Sequence, residues 1–192
     1  MLFNFLPPYN GTVKVIALVG MAGSGKSEVS AVFESNGYAK VRFGDITDAA
    51  VKALGLQLTE ENERPARESL RREYGMDAYA KLSLGRINEA LEKSSVVVDG
   101  LYSWEEYTFL KKYFGELFNV VAVYASPATR YGRLAGRKVR PLTAAEATGR
   151  DCAEIENMNK GGPIAMADYT VTNEGTVAEL KQQVERIIKK IK

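Results

Sequence analysis

At 192 residues, with 45% hydrophobic and 26% charged side chains, the chain is long enough for one buried core and has a globular rather than a disordered or fibrous balance. A net charge of +2 gives no basic surplus for nucleic-acid binding, and the longest apolar runs, Val96 to Val98 and Val120 to Ala125, fall far short of a transmembrane helix of roughly 20 residues. Histidine is absent, which excludes serine-histidine and cysteine-histidine catalysis and histidine-ligated zinc, and the single cysteine, Cys152, can form no internal disulfide.

Met1 to Asn10 has no basic region, long apolar stretch or small-residue cleavage site, so a cytoplasmic address without a membrane partner is expected. Val13 to Val19 is a β-branched run ending at Gly20, and Val29, Val32 and Phe33 then recur at helical spacing until Asn36-Gly37: strand, loop, helix. Tyr38 to Phe43 reads as a second strand, with a helix near Ile46 to Leu54. The polar, arginine-rich stretch Thr59 to Tyr74 follows, in which Pro65 fits only a first helical turn. Asp77 can cap a helix carrying Leu84, Ile87 and Leu91 on one face. Val96 to Asp99 is a buried strand turning at Gly100, and Ser103 with Glu106 forms a capping box for a helix ending near Gly115.

Phe118 to Ala125 is a continuous apolar strand, after which Ser126-Pro127 caps and opens a helix. Thr143 with Glu146 is a second capping box, for a helix that Asn159-Lys-Gly-Gly-Pro163 should terminate. Asp168 to Thr172 is a last short strand. Thr176 with Glu179 opens a helix whose Val177, Leu180, Val184, Ile187, Ile188 and Ile191 make an apolar stripe. Five strands alternating with helices, the central ones apolar throughout, predict one three-layer α/β domain around a five-stranded parallel sheet.

The chemistry starts at Gly20-Met-Ala-Gly-Ser-Gly-Lys26-Ser27, which has Walker A spacing between a strand and a helix. Glycines let successive N–H groups converge on phosphate oxygens, and the helix N-terminus adds partial positive charge. Gly20, Ala22, Gly23, Ser24, Gly25, Lys26 and Ser27 are therefore candidate phosphate-binding residues. In such a loop the lysine reaches the β- and γ-phosphates and the hydroxyl of Ser27 ligates Mg²⁺.

With this loop, Phe33-Glu-Ser-Asn-Gly-Tyr38, Phe43-Gly-Asp45, Val-Val-Val-Asp99-Gly, Tyr124-Ala-Ser-Pro127 and Ala167-Asp168-Tyr through Asn173-Glu-Gly175 recur in order. Together they resemble the P-loop kinases related to dephospho-CoA kinase and adenylate kinase, from Val13 onward. The resemblance implies ATP and Mg²⁺ as cofactors, a small nucleotide-like acceptor, a substrate-side helical insertion at about 46–91 and an arginine-bearing lid at about 137–160. Dephospho-CoA kinase or adenylate kinase proper, or a regulatory P-loop ATPase, are the alternatives. Phe43-Gly-Asp45 departs from the Asp-Ala-Asp step usual in dephospho-CoA kinases. Asn159-Lys160 is followed by two glycines rather than the pattern that reads guanine, which disfavours a GTPase.

Several further residues have two readings. Asp99 ends an apolar strand, where a carboxylate can hold Mg²⁺ or orient the acceptor, or simply form an Asp-Gly turn. By the resemblance Asp45 receives the acceptor, as base or positioning group; as an N-cap for Ile46 it is unremarkable. Arg130, Arg133 and Arg137 share a helix face, with Lys138 and Arg140 beyond, and form either a polyphosphate clamp or a solvated basic face. The resemblance puts Arg133 on adenine and Arg137 on phosphate. Arg150 matches a second lid arginine, yet Glu146 and Glu154 lie at salt-bridge spacing; Arg64, Arg67 and Arg71, with glutamates at pairing distance, read mainly as a solvated face. The resemblance sets Asn173 and Gly175 against the adenine edge, where a plain turn also fits. Tyr102 and Trp104 either wall the acceptor pocket or pack, and Cys152 reads as inert.

Overall fold

The computed structural model describes residues 13–138 and 141–191. Met1 to Asn10, from which the address was read, and Arg140 lie outside them. The chain runs β1 (Val15–Val19), α1 (Lys26–Ser35), β2 (Ala39–Arg42), α2 (Gly44–Ala53), α3 (Glu60–Tyr74), α4 (Ala78–Leu91) and β3 (Val96–Asp99). It continues through α5 (Trp104–Phe114), β4 (Phe118–Tyr124), α6 (Pro127–Ala135), α7 (Ala144–Glu156), α8 (Gly161–Ala165), β5 (Tyr169–Thr172) and α9 (Val177–Ile191).

The five strands form one parallel sheet in the order β2-β3-β1-β4-β5. Because side chains alternate along a strand, β1 serves both faces. Val15, Ala17 and Val19 meet Tyr79, Ile87 and Leu91 of α4 and Leu110 and Phe114 of α5, whereas Ile16 and Leu18 meet Val29 and Phe33 of α1 and Val184 and Ile188 of α9. All five residues of β1 are fully buried, which is why the strand reads as a continuous apolar run. Register sets Arg42 beside Asp99 and Leu18 beside Asp99, so the carboxyl ends of β1, β2 and β3 share one edge. Open parallel sheets bind ligands at this edge.

The capping boxes at Ser103 and Thr143 form in full, and Thr176 and Glu179 exchange the same pair of bonds. Five expectations fail on particular residues. Pro65 lies in the second turn of α3, not the first, where it leaves the carbonyl of exposed Glu61 to water. Asp77 sits at the cap position of α4 without accepting a cap bond, because its carboxylate pairs with Lys81 at 2.7 Å. Helix α2 begins at Gly44 with Phe43 at its cap, so Asp45 is inside the helix and not its N-cap. Gly161-Gly162-Pro163 opens α8 instead of merely ending α7. Val177 leaves the apolar stripe of α9 and is 54% exposed. Among the described residues no helix is long and apolar enough to cross a membrane.

Candidate functional site

The loop from Gly20 to Ser27 leaves β1 at the carboxyl edge and enters α1. Its shape requires glycine, most tightly at two places. A Cβ on Gly20, at φ +149°, would stand 2.4 Å from the Val123 carbonyl oxygen; one on Gly25, at φ +99°, would stand 2.1 Å from the amide nitrogen of Asn173. No side chain caps α1; the Glu28 amide turns back to the Gly25 carbonyl at 3.1 Å, and the amides of Lys26 and Ser27 before it are placed to meet an anion. Ser24 is buried with its hydroxyl oxygen unpartnered among the described residues.

A cavity of about 530 Å³ opens over this loop, lined by Ala22, Gly23 and Gly25 to Glu28 of the loop and α1. Among the described residues five cations reach it, Lys26, Arg42, Arg133, Arg137 and Arg150, against two carboxylates, Glu28 and Asp99. Such an excess of positive charge in a concave site suits a polyanion. Lys26 donates to the carbonyls of Gly20, at 2.7 Å, and Met21, at 3.2 Å. Burial first, then the nearby charge of Lys160, lowers its pKa to about 7. Burial followed by repulsion from Arg150 also lowers that of Arg137, which lies just past the end of α6.

Asp99 lines the cavity, its side chain 15% exposed, with Lys40 at 3.6 Å. Asp45 is not among the lining residues: it accepts from Arg42 at 3.0 Å and from Arg86 at 2.8 Å. Burial raises its pKa, but the hydrogen bonds from Arg86 and Arg42 outweigh this and hold the carboxyl below its usual value. A carboxylate so stabilised is a weak base.

The three arginines of α6 and its end do not act as one face. Arg130 is buried and donates to Asp151 at 3.0 and 2.6 Å, to the Ala22 carbonyl and to the Ala125 carbonyl, so neither the clamp nor the solvated reading holds for it. Arg133 donates to the Asn173 carbonyl at 2.9 Å, while its other terminal nitrogen, Nη1, is buried without a partner among the described residues. Asn173 in turn donates to the Ser24 carbonyl at 2.8 Å, joining the end of β5 to the phosphate loop. Gly175 lines the cavity, and so does Arg150, whose Nε donates to Glu154 at 3.1 Å. Arg150 thus has the helix ion pair and the cavity position together.

Tyr102 lines the cavity, whereas Trp104 stacks on Tyr107 at 5.1 Å between centroids. Arg64 pairs with exposed Glu68 at 3.0 Å and Arg67 with Glu60 and Glu63. Arg71 lies 5.0 Å over the ring of Tyr79, and none of these three lines the cavity. Cys152 is exposed and free. Lys138 is exposed. Sequence reasoning passed over Arg42 and Lys160. Arg42 carried a usable signal, since it ends a strand at the edge that singled out Asp99, whereas nothing local marked Lys160 as buried.

The AAA domain family matches residues 16–156. The UPF0200 protein of Thermococcus gammatolerans is 38% identical over 181 residues, covering 92% of this chain and 95% of that one; that of Sulfurisphaera tokodaii is 34% identical, covering 93% and 98%. Similar solved structures include TT1252 from Thermus thermophilus, at TM-score 0.61 and 20% identity over 94% of this chain and 98% of that one. Shikimate kinase from Bacteroides thetaiotaomicron follows at 0.59 and 14% over 93% and 98%, and dephospho-CoA kinase from Campylobacter jejuni at 0.53 and 17% over 94% and 98%. At such identities these structures speak for the fold, which is that of P-loop kinases. Matched along most of its length by the AAA domain and sharing over a third of its residues with proteins of the same extent, the chain belongs to the UPF0200 family of P-loop proteins.

Proposed function

We propose that this protein is a small-molecule kinase that transfers the γ-phosphoryl group of ATP to a small, anionic, nucleotide-like acceptor. The observation that carries this reading is the cavity itself: a Walker A loop and five cations around one concavity at the carboxyl edge of a parallel sheet. Phosphoryl transfer needs little covalent help from the protein, and positioning with charge neutralisation supplies most of the rate.

The loop amides and Lys26 would hold the β- and γ-phosphates, with Arg133, Arg137 and Arg150 around the same oxygens. Ser27 and Asp99, a hydroxyl and a carboxylate lining one cavity, fit Mg²⁺, which takes one or two carboxylates and completes its shell from water and phosphate. When bound, that ion would neutralise charge developing between the phosphates. Lys40, at 3.6 Å, pairs with Asp99 and helps to orient its carboxylate. At the β2 end, Arg42 has Nη1 committed to Asp45 and to Asp48, leaving Nη2 and Nε for an acceptor anion. Asp45 therefore serves by holding Arg42, and a base role falls to Asp99 if one is needed.

The test is a transfer screen with ATP against AMP, dephospho-CoA, shikimate and gluconate, with mass detection of the phosphorylated product. We expect one anionic acceptor to be phosphorylated, and Lys26→Ala to lower the rate by roughly a hundredfold or more while melting is no lower than that of the parent. ATP hydrolysis with no phosphorylated product would favour a regulatory ATPase, and full activity in Lys26→Ala would remove the site assignment.

A further inference from the structure

Helix α7 reaches the cavity through Arg150, and the residues around that arginine are built into the interior. Asp151 accepts two hydrogen bonds from buried Arg130 and a third, at 3.0 Å, from the Tyr131 hydroxyl. The same Arg130 guanidinium donates to the Ala22 carbonyl of the phosphate loop at 3.1 Å. One turn further on, Glu154 is 3% exposed and accepts from Arg150 Nε at 3.1 Å on one oxygen and from Lys160 Nζ at 2.5 Å on the other. Lys160 is wholly buried, its ammonium 4.4 Å above the ring of Tyr102, which lines the cavity. Behind it the Trp104 amide donates to the Met158 carbonyl at 3.3 Å, and the Trp104 ring lies so near Gly162 that a Cβ there would meet it at 2.6 Å.

A buried lysine and glutamate are expensive to desolvate and often replaceable by apolar side chains, so their presence beside a ligand cavity asks for a reason. The geometry supplies one. Lys160, fixed in the interior, holds one oxygen of Glu154 and thereby fixes the other, which takes Nε of Arg150. The long side chain of Arg150 is then held by its inner nitrogen, with its two outer nitrogens left to the cavity. We infer that Glu154, locked by Lys160, is a positioning residue that aims the guanidinium of Arg150 at the nucleotide phosphates before the nucleotide arrives.

This inference rests on the nucleotide-binding reading above, and its coupling to Arg150 separates it from plain electrostatics. If Glu154 and Lys160 acted only through their charges, removing one carboxylate and one ammonium together would leave the binding of a polyanion nearly unchanged. Positioning requires weaker binding. The experiment is a double-mutant cycle read by calorimetric binding of adenylyl imidodiphosphate with Mg²⁺. Glu154→Gln alone would strand the buried Lys160 and risks unfolding, so the pair is replaced together by Glu154→Gln with Lys160→Met, and melting is checked for each protein. We expect Arg150→Met to weaken the analogue about tenfold in the native background, the paired replacement to weaken it by a similar factor, and Arg150→Met to add little once the pair is gone. Unchanged or tighter binding in the paired replacement, or an equal cost of Arg150→Met in both backgrounds, overturns the inference alone. A native protein that binds the analogue without ever transferring phosphate sinks the kinase reading and leaves the cycle decisive for Arg150. One that does not bind it sinks both.

Discussion

The ammonium of Lys26 is bonded to two carbonyls, Gly20 and Met21, yet its pKa falls to about 7 because burial and Lys160 outweigh that gain. Phosphate oxygens reverse the balance, since an anion beside the ammonium favours its charged form. Binding of adenylyl imidodiphosphate at pH 8 should therefore take up protons, seen as a dependence of the calorimetric heat on the ionisation enthalpy of the buffer; Lys26→Met should abolish that dependence. The same group links folding to pH. Its folded pKa of about 7 lies below the ordinary 10.5, so between those values the unfolded chain holds more protons and this contribution to stability rises with pH. Denaturant titrations from pH 7 to 10 should show the rise in the native protein and less of it in Lys26→Met. The Walker A spacing made Lys26 legible in the sequence because the loop chemistry is local. Its altered acidity was not, since Lys160 is brought beside it only by the fold.

At the scale of elements, the same division between local and distant causes explains what could be read. Capping boxes at Ser103, Thr143 and Thr176 complete themselves within four residues, and all three are found. Spacing alone could not place Arg130, because three- and four-residue steps mark one face of a helix without saying whether it meets water or Asp151 on another helix. Likewise Gly-Gly-Pro reads as a stop, whereas packing against Trp104 makes it the start of α8. From the ties of Asp151 to Arg130 and of Glu154 to Lys160 we propose that α7, within the lid expected at about 137–160, keeps its place whether or not nucleotide is bound. Amide exchange across residues 147–154 should be slow and equal with and without the analogue. Asp151→Ala, which leaves the Arg130 charge buried and unpaired, should cost about 3–5 kcal/mol in urea unfolding.

For the molecule as a whole, the net charge of +2 conceals a polarised arrangement. Among the described residues, five basic and two acidic side chains line the cavity, an excess larger than the net charge of the chain. The attraction for a polyanion is thus concentrated at one mouth, where low-dielectric walls focus the field. Stopped-flow association of a fluorescent ATP analogue should slow severalfold between about 0.02 and 0.3 M salt, a dependence that a charge of +2 spread over the surface would not produce. Neither this focusing nor its location follows from composition, because the five cations come from β2, α1, the end of α6 and α7. The chain also contains a single tryptophan, Trp104, 36% exposed and stacked between Tyr107 and the backbone of Gly162. Its indole lies on the seam that fastens α8 to the body of the protein, beside the residues that bury Lys160. Intrinsic fluorescence excited at the indole band therefore gives an unlabelled optical gauge of that seam: loosening of α8 shifts the emission to the red while the sheet behind it remains spectroscopically silent.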